Sequence, residues 1–191
     1  MFFGIEKKIN KLMDMLGALS SFLLIILVIV ISYNVIGRYA FGKSSVGLEE
    51  FSWHLYSTVF LLSISYALKT ESHVRVDIIF ERLSARTQAI INSIGGLFVL
   101  LPICAIVVYY GFIFMRESYQ WGPHADSISG LIQQFMTTGI GEKSSDPGGL
   151  LNRFVIKGMV PLSFLFLGLS TVSFIIKNIR LLIETRSEQV K

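Results

Sequence analysis

The stretch that decides the fold reads MLGALSSFLLIILVIVISYNVIG, residues 15–37. It runs for 23 residues between Asp14 and Arg38 without an Asp, Glu, Lys or Arg. At about 1.5 Å per helical residue this is enough to cross a hydrocarbon core of about 30 Å. Three further runs share the property: 51–68 with 18 residues, 87–115 with 29 and 158–176 with 19. The run 51–68 is at the lower limit of length and holds several polar side chains. The run 87–115 exceeds what the core requires, so its helix is expected to tilt or project beyond the bilayer, and Pro102 favours a kink near its middle. In the last run Pro161 is expected near the first turn, where a missing N–H costs little. The expected fold class is therefore all-α integral membrane: four transmembrane helices at about 15–37, 50–68, 88–115 and 156–176, in a single membrane domain 1–191, with an amphipathic N-terminal interfacial helix and a long outer loop 120–153 between helices three and four.

The composition points the same way. The 191 residues are 52% hydrophobic and 16% charged, with a mean hydropathy of +0.63, whereas soluble domains carry charge at about a quarter of their positions. The single cysteine, Cys104, closes no internal disulfide and by itself builds no thiolate metal site. The first run is too long for the apolar region of a signal peptide and no small-x-small cleavage site follows it, so it is expected to stay in the mature protein.

The net charge of +4 comes from 17 basic and 13 acidic groups. Eleven of the basic groups fall in the amino-terminal arm, the connection 69–86 and the tail, and six in the other two connections. The excess is thus distributed by membrane side, not as a nucleic-acid patch, and it puts both termini in the cytoplasm. In the arm, Ile5, Ile9, Leu12, Met13 and Leu16 recur at spacings of three and four opposite lysines. Two readings fit: an amphipathic helix lying in the cytoplasmic interface, or merely the solvated first turns of a longer helix one.

Enzymatic chemistry needs a nucleophile, a general base or a metal set brought together. The histidines, His54, His73 and His124, fall in helix two, a cytoplasmic connection and the outer connection, and so cannot meet around one metal or haem. No catalytic residue, cofactor or metal site is expected, and the chain is read as a non-enzyme. Helix two is more informative as a surface: Glu50, His54, Ser57, Leu61 and Ser65 recur at intervals of four, three, four and four, which lines polar groups along one face. Such a face turns away from lipid. Glu49 and Glu50 either make a fixed contact with Arg38 or a partner, or are solvated carboxylates favoured by the dipole of a helix start. Because all four runs lack acidic residues, a chain with its own ion-coupling site is disfavoured. The rival readings are a four-helix membrane redox or quinone-handling subunit, for which His54 and the aromatic-rich helices are the evidence, and a stand-alone transporter or channel.

Several strings resemble a known family, the small membrane subunit (Q-type, DctQ-like) of tripartite ATP-independent periplasmic (TRAP) transporters. They are Asn34-x-x-x-Arg38-Tyr39-x-Phe41, the pair Glu49-Glu50, and Ala67-Leu68-Lys69-x-x-x-His73-Val74-Arg75-Val76-Asp77. Trp53-His54-Leu55-Tyr56, and Asp146-Pro147-Gly148-Gly149-Leu150 followed by Lys157 and Pro161, resemble the mannitol/chloroaromatic subgroup. The similarity covers about residues 20–180. Two departures stand out: Gly47 occupies a position where many members have tryptophan, and the 20 residues 124–143 look like an addition. Within that addition Ile128, Leu131, Ile132, Phe135 and Met136 have helical spacing, which predicts a short amphipathic helix on the outer interface or on a partner.

The resemblance implies a non-catalytic subunit of a sodium-coupled importer of organic acids, in a bacterial or archaeal inner membrane. It would act as scaffold, or stator, for a large elevator-type subunit that holds the substrate and sodium sites. The implied partners are that large subunit, a periplasmic substrate-binding protein, reached through the outer loop 124–143, and membrane lipids; nucleic acid is not among them. The candidate subunit-interface residues are Arg38, Glu49, Glu50, His54, Ser57, Ser65, His73, Arg75 and Asp77. Arg75 and Asp77 are expected to pair with each other or to hold the cytoplasmic end of the large subunit.

Overall fold

The computed structural model describes residues 2–70, 80 and 82–188. Every regular element among them is helical: α1 (Phe2–Phe41), α2 (Val46–Lys69), α3 (Ala85–Gly95), a π-helical turn (Gly96–Leu100), α4 (Leu101–Tyr119), α5 (Ile128–Thr137) and α6 (Phe154–Glu188). Three helices among the described residues are long and apolar enough to cross a membrane, at Glu6–Phe41, Ala85–Tyr119 and Phe154–Ile183. The helix α2 has the length, 24 residues, but its serines, His54 and paired glutamates dilute its apolar character and it is not among the three. Four spans are therefore more than length and composition of these helices establish.

The amino-terminal arm is not a separate helix. The helix α1 runs unbroken for 40 residues, about 60 Å at 1.5 Å per residue. The stripe of the arm is covered by the chain itself: Met13 and Leu16 are buried, and the same face carries the buried Glu6. Glu6 accepts from Arg180 Nη1 at 3.4 Å, Asn10 from the Ser173 hydroxyl at 2.9 Å, and Asp14 pairs with Lys69. One turn on, Gly17 lies so close to Tyr66 that a Cβ there would meet the ring at 2.7 Å. The arm is thus the start of a longer helix one, but the three-and-four periodicity records packing on α2 and α6, so its apolar stripe is covered and not solvated.

The two prolines leave different marks on their helices. Pro102 lacks an N–H and its ring excludes the carbonyl four residues back, that of Phe98. The helix absorbs this in the π-helical turn, where the Leu101 N–H reaches the Gly96 carbonyl, and then continues as α4. Pro161, expected in the first turn, is the eighth residue of α6, because the helix starts at Phe154, ahead of the apolar run. The outer connection supplies the earlier start, since Val155 N–H is held by the Asn152 carbonyl and Lys157 N–H by that of Arg153.

The described residues group into two compact units. One is drawn from Met1–Ala18, Leu62–Val107 and Ser163–Lys191. Leu68, Cys104, Leu167 and Phe174 form its apolar core, with Ile64, Leu100 and Phe164 against them. Small and polar residues do the rest of the packing, as they do where lipid offers no competing hydrophobic drive. Ser163, Ser170, Thr171, Ser173 and Asn178 of α6 are buried. Ser170 donates to the Ser65 carbonyl at 2.9 Å, and Asn92 to Asn178 Oδ1 at 3.1 Å. Gly96 faces Thr171 and Ile175, and Gly168 faces Cys104, so within this unit the π-helical turn and the start of α4 run antiparallel to α6 at glycine-permitted distance.

The other unit is drawn from Leu19–Leu61 and Val108–Leu162. Here too α4 and α6 are antiparallel neighbours: Gly111 abuts Pro161, Met115 abuts Gly158, and Tyr119 meets Phe154 edge to face at 5.2 Å. The turn from α1 into α2 is short. Gly42 takes a left-handed conformation at φ 64°, the Lys43 N–H returns to the Gly37 carbonyl, and the Ser45 hydroxyl caps α2 by accepting from the Leu48 N–H at 3.4 Å.

Candidate functional site

The most organised polar region lies in the second unit, where the connection 120–153 meets the start of α2. Its segment 144–150 is a closed loop: the Ser144 N–H donates to the Leu150 carbonyl at 3.0 Å, and Gly149 N–H to that of Asp146 at 3.0 Å. Glu50 holds this loop from one turn inside α2. One carboxylate oxygen accepts the Ser144 hydroxyl, and the other accepts the Leu150 N–H at 2.6 Å. Close approach depends on glycines: a Cβ on Gly149 would lie 2.8 Å from Glu50 Oε2, and one on Gly47 would lie 2.9 Å from the Gly148 carbonyl. This gives the glycine at position 47 a physical reason, because a tryptophan there would have to displace the loop.

A second carboxylate locks the ends of the connection to α4 and α6. Glu142 pairs with Lys157 and accepts the Ser118 hydroxyl at 2.9 Å. Its N–H donates to the Ser118 carbonyl at 2.8 Å, and its carbonyl accepts from Arg153 N–H at 3.0 Å. The Lys157 ammonium also stands over the Phe114 ring, 4.2 Å from its centre. The Lys157 hydrogen bond holds the Glu142 carboxyl below the ordinary glutamate range; partial burial opposes it, and the Ser118 hydroxyl and the charges of Lys157 and Arg153 add to it. A depressed carboxylate contributes stability above its unfolded pKa, and that contribution is lost as pH falls through the folded value. The connection should therefore keep constant resistance to protease from neutral pH down to about pH 5, and lose it below about pH 4. Limited proteolysis across that range tests this, and Glu142→Gln should reduce the acid dependence, leaving the part that the Glu50 carboxylate contributes at the loop 144–150.

Ahead of both locked segments in the chain comes α5, capped at its start by Ser127, whose hydroxyl accepts from Gly130 N–H at 3.1 Å. It is the short helix expected from the spacing of Ile128 to Met136. Two amides fasten it. Gln134 accepts from Ala125 N–H at 3.0 Å and donates to the Pro123 carbonyl at 2.8 Å; Asn152 accepts from Ile140 N–H at 2.6 Å and donates to the Phe135 carbonyl at 3.0 Å. Ile128, Ile132 and Met136 remain mostly exposed on one side of it.

The candidate residues from the sequence separate into distinct environments. Glu50, His54 and Arg153 line one cleft together with Glu49, Trp53 and Asp146. Arg38 stacks 5.5 Å from the ring of its neighbour Tyr39, and among the described residues it forms no ion pair with Glu49 or Glu50. Arg38 and Glu49 instead share a groove between α1 and α2 with Leu27, Asn34, Trp53 and Tyr56. Ser57 is half-buried, and Ser65 is completely buried in the first unit, where its carbonyl takes the Ser170 hydroxyl. His73, Arg75 and Asp77 lie outside the described residues. His124 is tied to the Tyr119 carbonyl at 2.8 Å. Ser118, Glu142, Ser144 and Asn152 carry the region and have no motif or periodicity that singles them out. The available signal was Gly139, Gly141 and Gly148 around them, which take left-handed φ.

No group of three His, Cys, Asp or Glu side chains able to hold a metal occurs among the described residues. Long apolar helices, a core of small polar residues and a tightly tied extramembrane connection define an integral-membrane helical subunit. Over residues 27–181 the chain matches the family of tripartite ATP-independent periplasmic transporters, DctQ component, and it belongs to that family. No curated protein matches it. It is thus the small membrane component of a TRAP transporter, a transport protein and not an enzyme; the family works with a large membrane subunit and a substrate-binding protein.

Proposed function

We propose that the chain is the static partner of the large subunit in a sodium-coupled TRAP importer of organic acids, and that it anchors the scaffold against which the large subunit's transport domain moves. The observation that carries this reading is the groove between α1 and α2, lined by Leu27, Asn34, Arg38, Glu49, Trp53 and Tyr56. It offers an aromatic, partly polar surface with Trp53 and Tyr56 well exposed, the composition that anchors helices of another subunit. The carboxylate-locked connection beside it favours a rigid element, which a stator requires. In this reading α2 is the fourth span, made acceptable to the membrane by a neighbour that covers its polar groups. Residues 1–191 act as one membrane domain of a bacterial or archaeal inner membrane. The strings 53–56 and 146–150 favour the mannitol/chloroaromatic subgroup.

The test is recovery of the large subunit with the tagged chain. Trp53→Ala should weaken the pair by about 2 kcal/mol, roughly thirtyfold in affinity, and lower sodium-driven uptake in parallel. Full recovery and full uptake with Trp53→Ala plus Tyr56→Ala would move the interface elsewhere. Both termini are assigned to the cytoplasm and the connection 120–153 to the periplasm from the eleven-to-six basic distribution. In a Cys104→Ser background, an impermeant thiol reagent should label Ser145→Cys in intact spheroplasts and spare Ser72→Cys; the opposite pattern inverts the topology.

A further inference from the structure

The helix α5 presents three stripes instead of two. Gly130, Leu131 and Gln134 are partly buried. Ile128, Ile132 and Met136, at steps of four residues, are 80%, 63% and 75% exposed. One residue further on, about 100° round the helix, Ser129, Gln133 and Thr137 form an exposed polar stripe without charge. A helix packed on a protein in water needs a packed face and a polar face only. An apolar stripe between the two suits a boundary where protein, hydrocarbon and water meet. Residues 127–141 contain no Asp, Glu, Lys or Arg, a charge-free run of 15 that is too short to cross a bilayer and so belongs in a core or in the membrane interface. The exposure of Ile128, Ile132 and Met136 excludes the core.

The tethers of α5 fix its depth. Ser118 lies three residues past the run 87–115, and Lys157 immediately precedes the run 158–176, so the attachment of Glu142 to both marks the level where hydrocarbon gives way to headgroups. Asn152 donates to the Phe135 carbonyl at 3.0 Å and accepts from Ile140 N–H at 2.6 Å, which ties the end of α5 to the segment leading into α6. Trp121, between α4 and α5, is 70% exposed and is of the residue type enriched at that level. Toward the same level α4 carries the outward Tyr109, Tyr110 and Phe112, so the stripe extends a lipid-facing surface that the chain already has. A protein partner would find in the stripe no charge and no hydrogen-bonding side chain to recognise, whereas lipid requires neither.

We propose that α5 lies in the plane of the membrane, inserts Ile128, Ile132 and Met136 into the boundary between headgroups and acyl chains, and turns Ser129, Gln133 and Thr137 toward water. The partner is the lipid surface itself. With no basic residue in 127–141, zwitterionic lipid serves as well as acidic lipid. The inference depends on the chain being a membrane protein, not on where the large subunit docks.

The experiment uses the full chain in a Cys104→Ser background, reconstituted in vesicles of phosphatidylethanolamine and phosphatidylglycerol. A single nitroxide label is attached at Ile132→Cys, Met136→Cys, Gln133→Cys or Thr137→Cys, and its collisions with oxygen, which concentrates in hydrocarbon, are compared with those with a water-soluble nickel chelate. Phe112→Cys supplies the lipid reference and Ser145→Cys the water reference. The oxygen-to-nickel ratio should be several-fold higher at 132 and 136 than at 133 and 137, and vesicles of phosphatidylcholine alone should give the same order. Two positions on each stripe keep the comparison intact if one variant does not fold. Nickel collisions at 132 and 136 as frequent as at 145 would put the stripe in water. Few collisions with either reagent would put it under protein, whether a second copy or another part of this chain. A ratio that rises at 132 and 136 only when the chain is in vesicles rich in acidic lipid would mean charge attraction elsewhere in the chain. Each of these three results overturns the proposal.

Discussion

Replacing Gly141 by alanine is expected to destabilise the connection between α4 and α6 by about 2–5 kcal/mol, the sum of a backbone and a packing penalty. Gly141 sits at φ 67°, where an L side chain costs about 1–2 kcal/mol. Its added Cβ would also meet the Ser118 carbonyl oxygen and approach Tyr119 Cα to 3.0 Å. Those atoms are backbone at the end of α4 and cannot rotate away as a side chain would. Retreat is blocked as well, because the next residue is held to Ser118 twice: the Ser118 carbonyl accepts the Glu142 N–H at 2.8 Å, and the Ser118 hydroxyl donates to the Glu142 carboxylate at 2.9 Å. Forced overpacking of this kind adds about 1–3 kcal/mol. Gly122 is the control: it has φ 82° and nothing within 4 Å of the place a methyl group would take, so Gly122→Ala should show the backbone cost alone. Thermal denaturation in detergent, with protease sensitivity of residues 138–153 alongside, measures both. Equal effects of the two substitutions would show that close approach at Ser118 is not what Gly141 provides.

The helices were legible in the sequence because charge is expensive in hydrocarbon: the runs 15–37, 87–115 and 158–176 each lie inside one observed helix. Their true ends were not legible. Lys7, Lys8 and Lys11 are good helix formers, so α1 continues through them into the arm, and only the burial of Met13, Leu16 and Glu6 distinguishes packing from an interfacial helix. The helix α5 was legible from spacing alone. The two carboxylate locks were not, since Glu50 and Leu150 are 100 residues apart and Glu142 finds Lys157 only along a path that left-handed Gly139, Gly141 and Asn152 create. The polar face of α2 was read as one surface, yet Glu50 meets the loop 144–150 while Ser65 is buried against α6. A helix of 24 residues spans too much of the fold for one face to have one neighbour.

Removing the Glu50 carboxylate should release the loop 144–150. Hydrogen bonds to a charged group contribute about 1.5–3 kcal/mol each, and Glu50→Ala loses two, from the Ser144 hydroxyl and the Leu150 N–H. The hydroxyl can turn to another acceptor or to water. The Leu150 N–H points at one place only, so its hydrogen exchange reports the loss most directly, and its protection should fall by at least tenfold for a net cost of about 1.4 kcal/mol. Glu50→Gln should do much less: its carbonyl oxygen can still accept the Leu150 N–H while its NH₂ donates to Ser144 Oγ, so shape is kept and only charge is lost. Glu49 decides between this account and a simpler one. It sits exposed in the first turn of α2, and the acceptor for both loop donors is its neighbour Glu50. If both glutamates served only to complement the dipole of the helix start, Glu49→Ala and Glu50→Ala would cost the same few tenths to 1 kcal/mol. A specific lock requires that Glu49→Ala leave the Leu150 amide protected and that Glu50→Ala expose it.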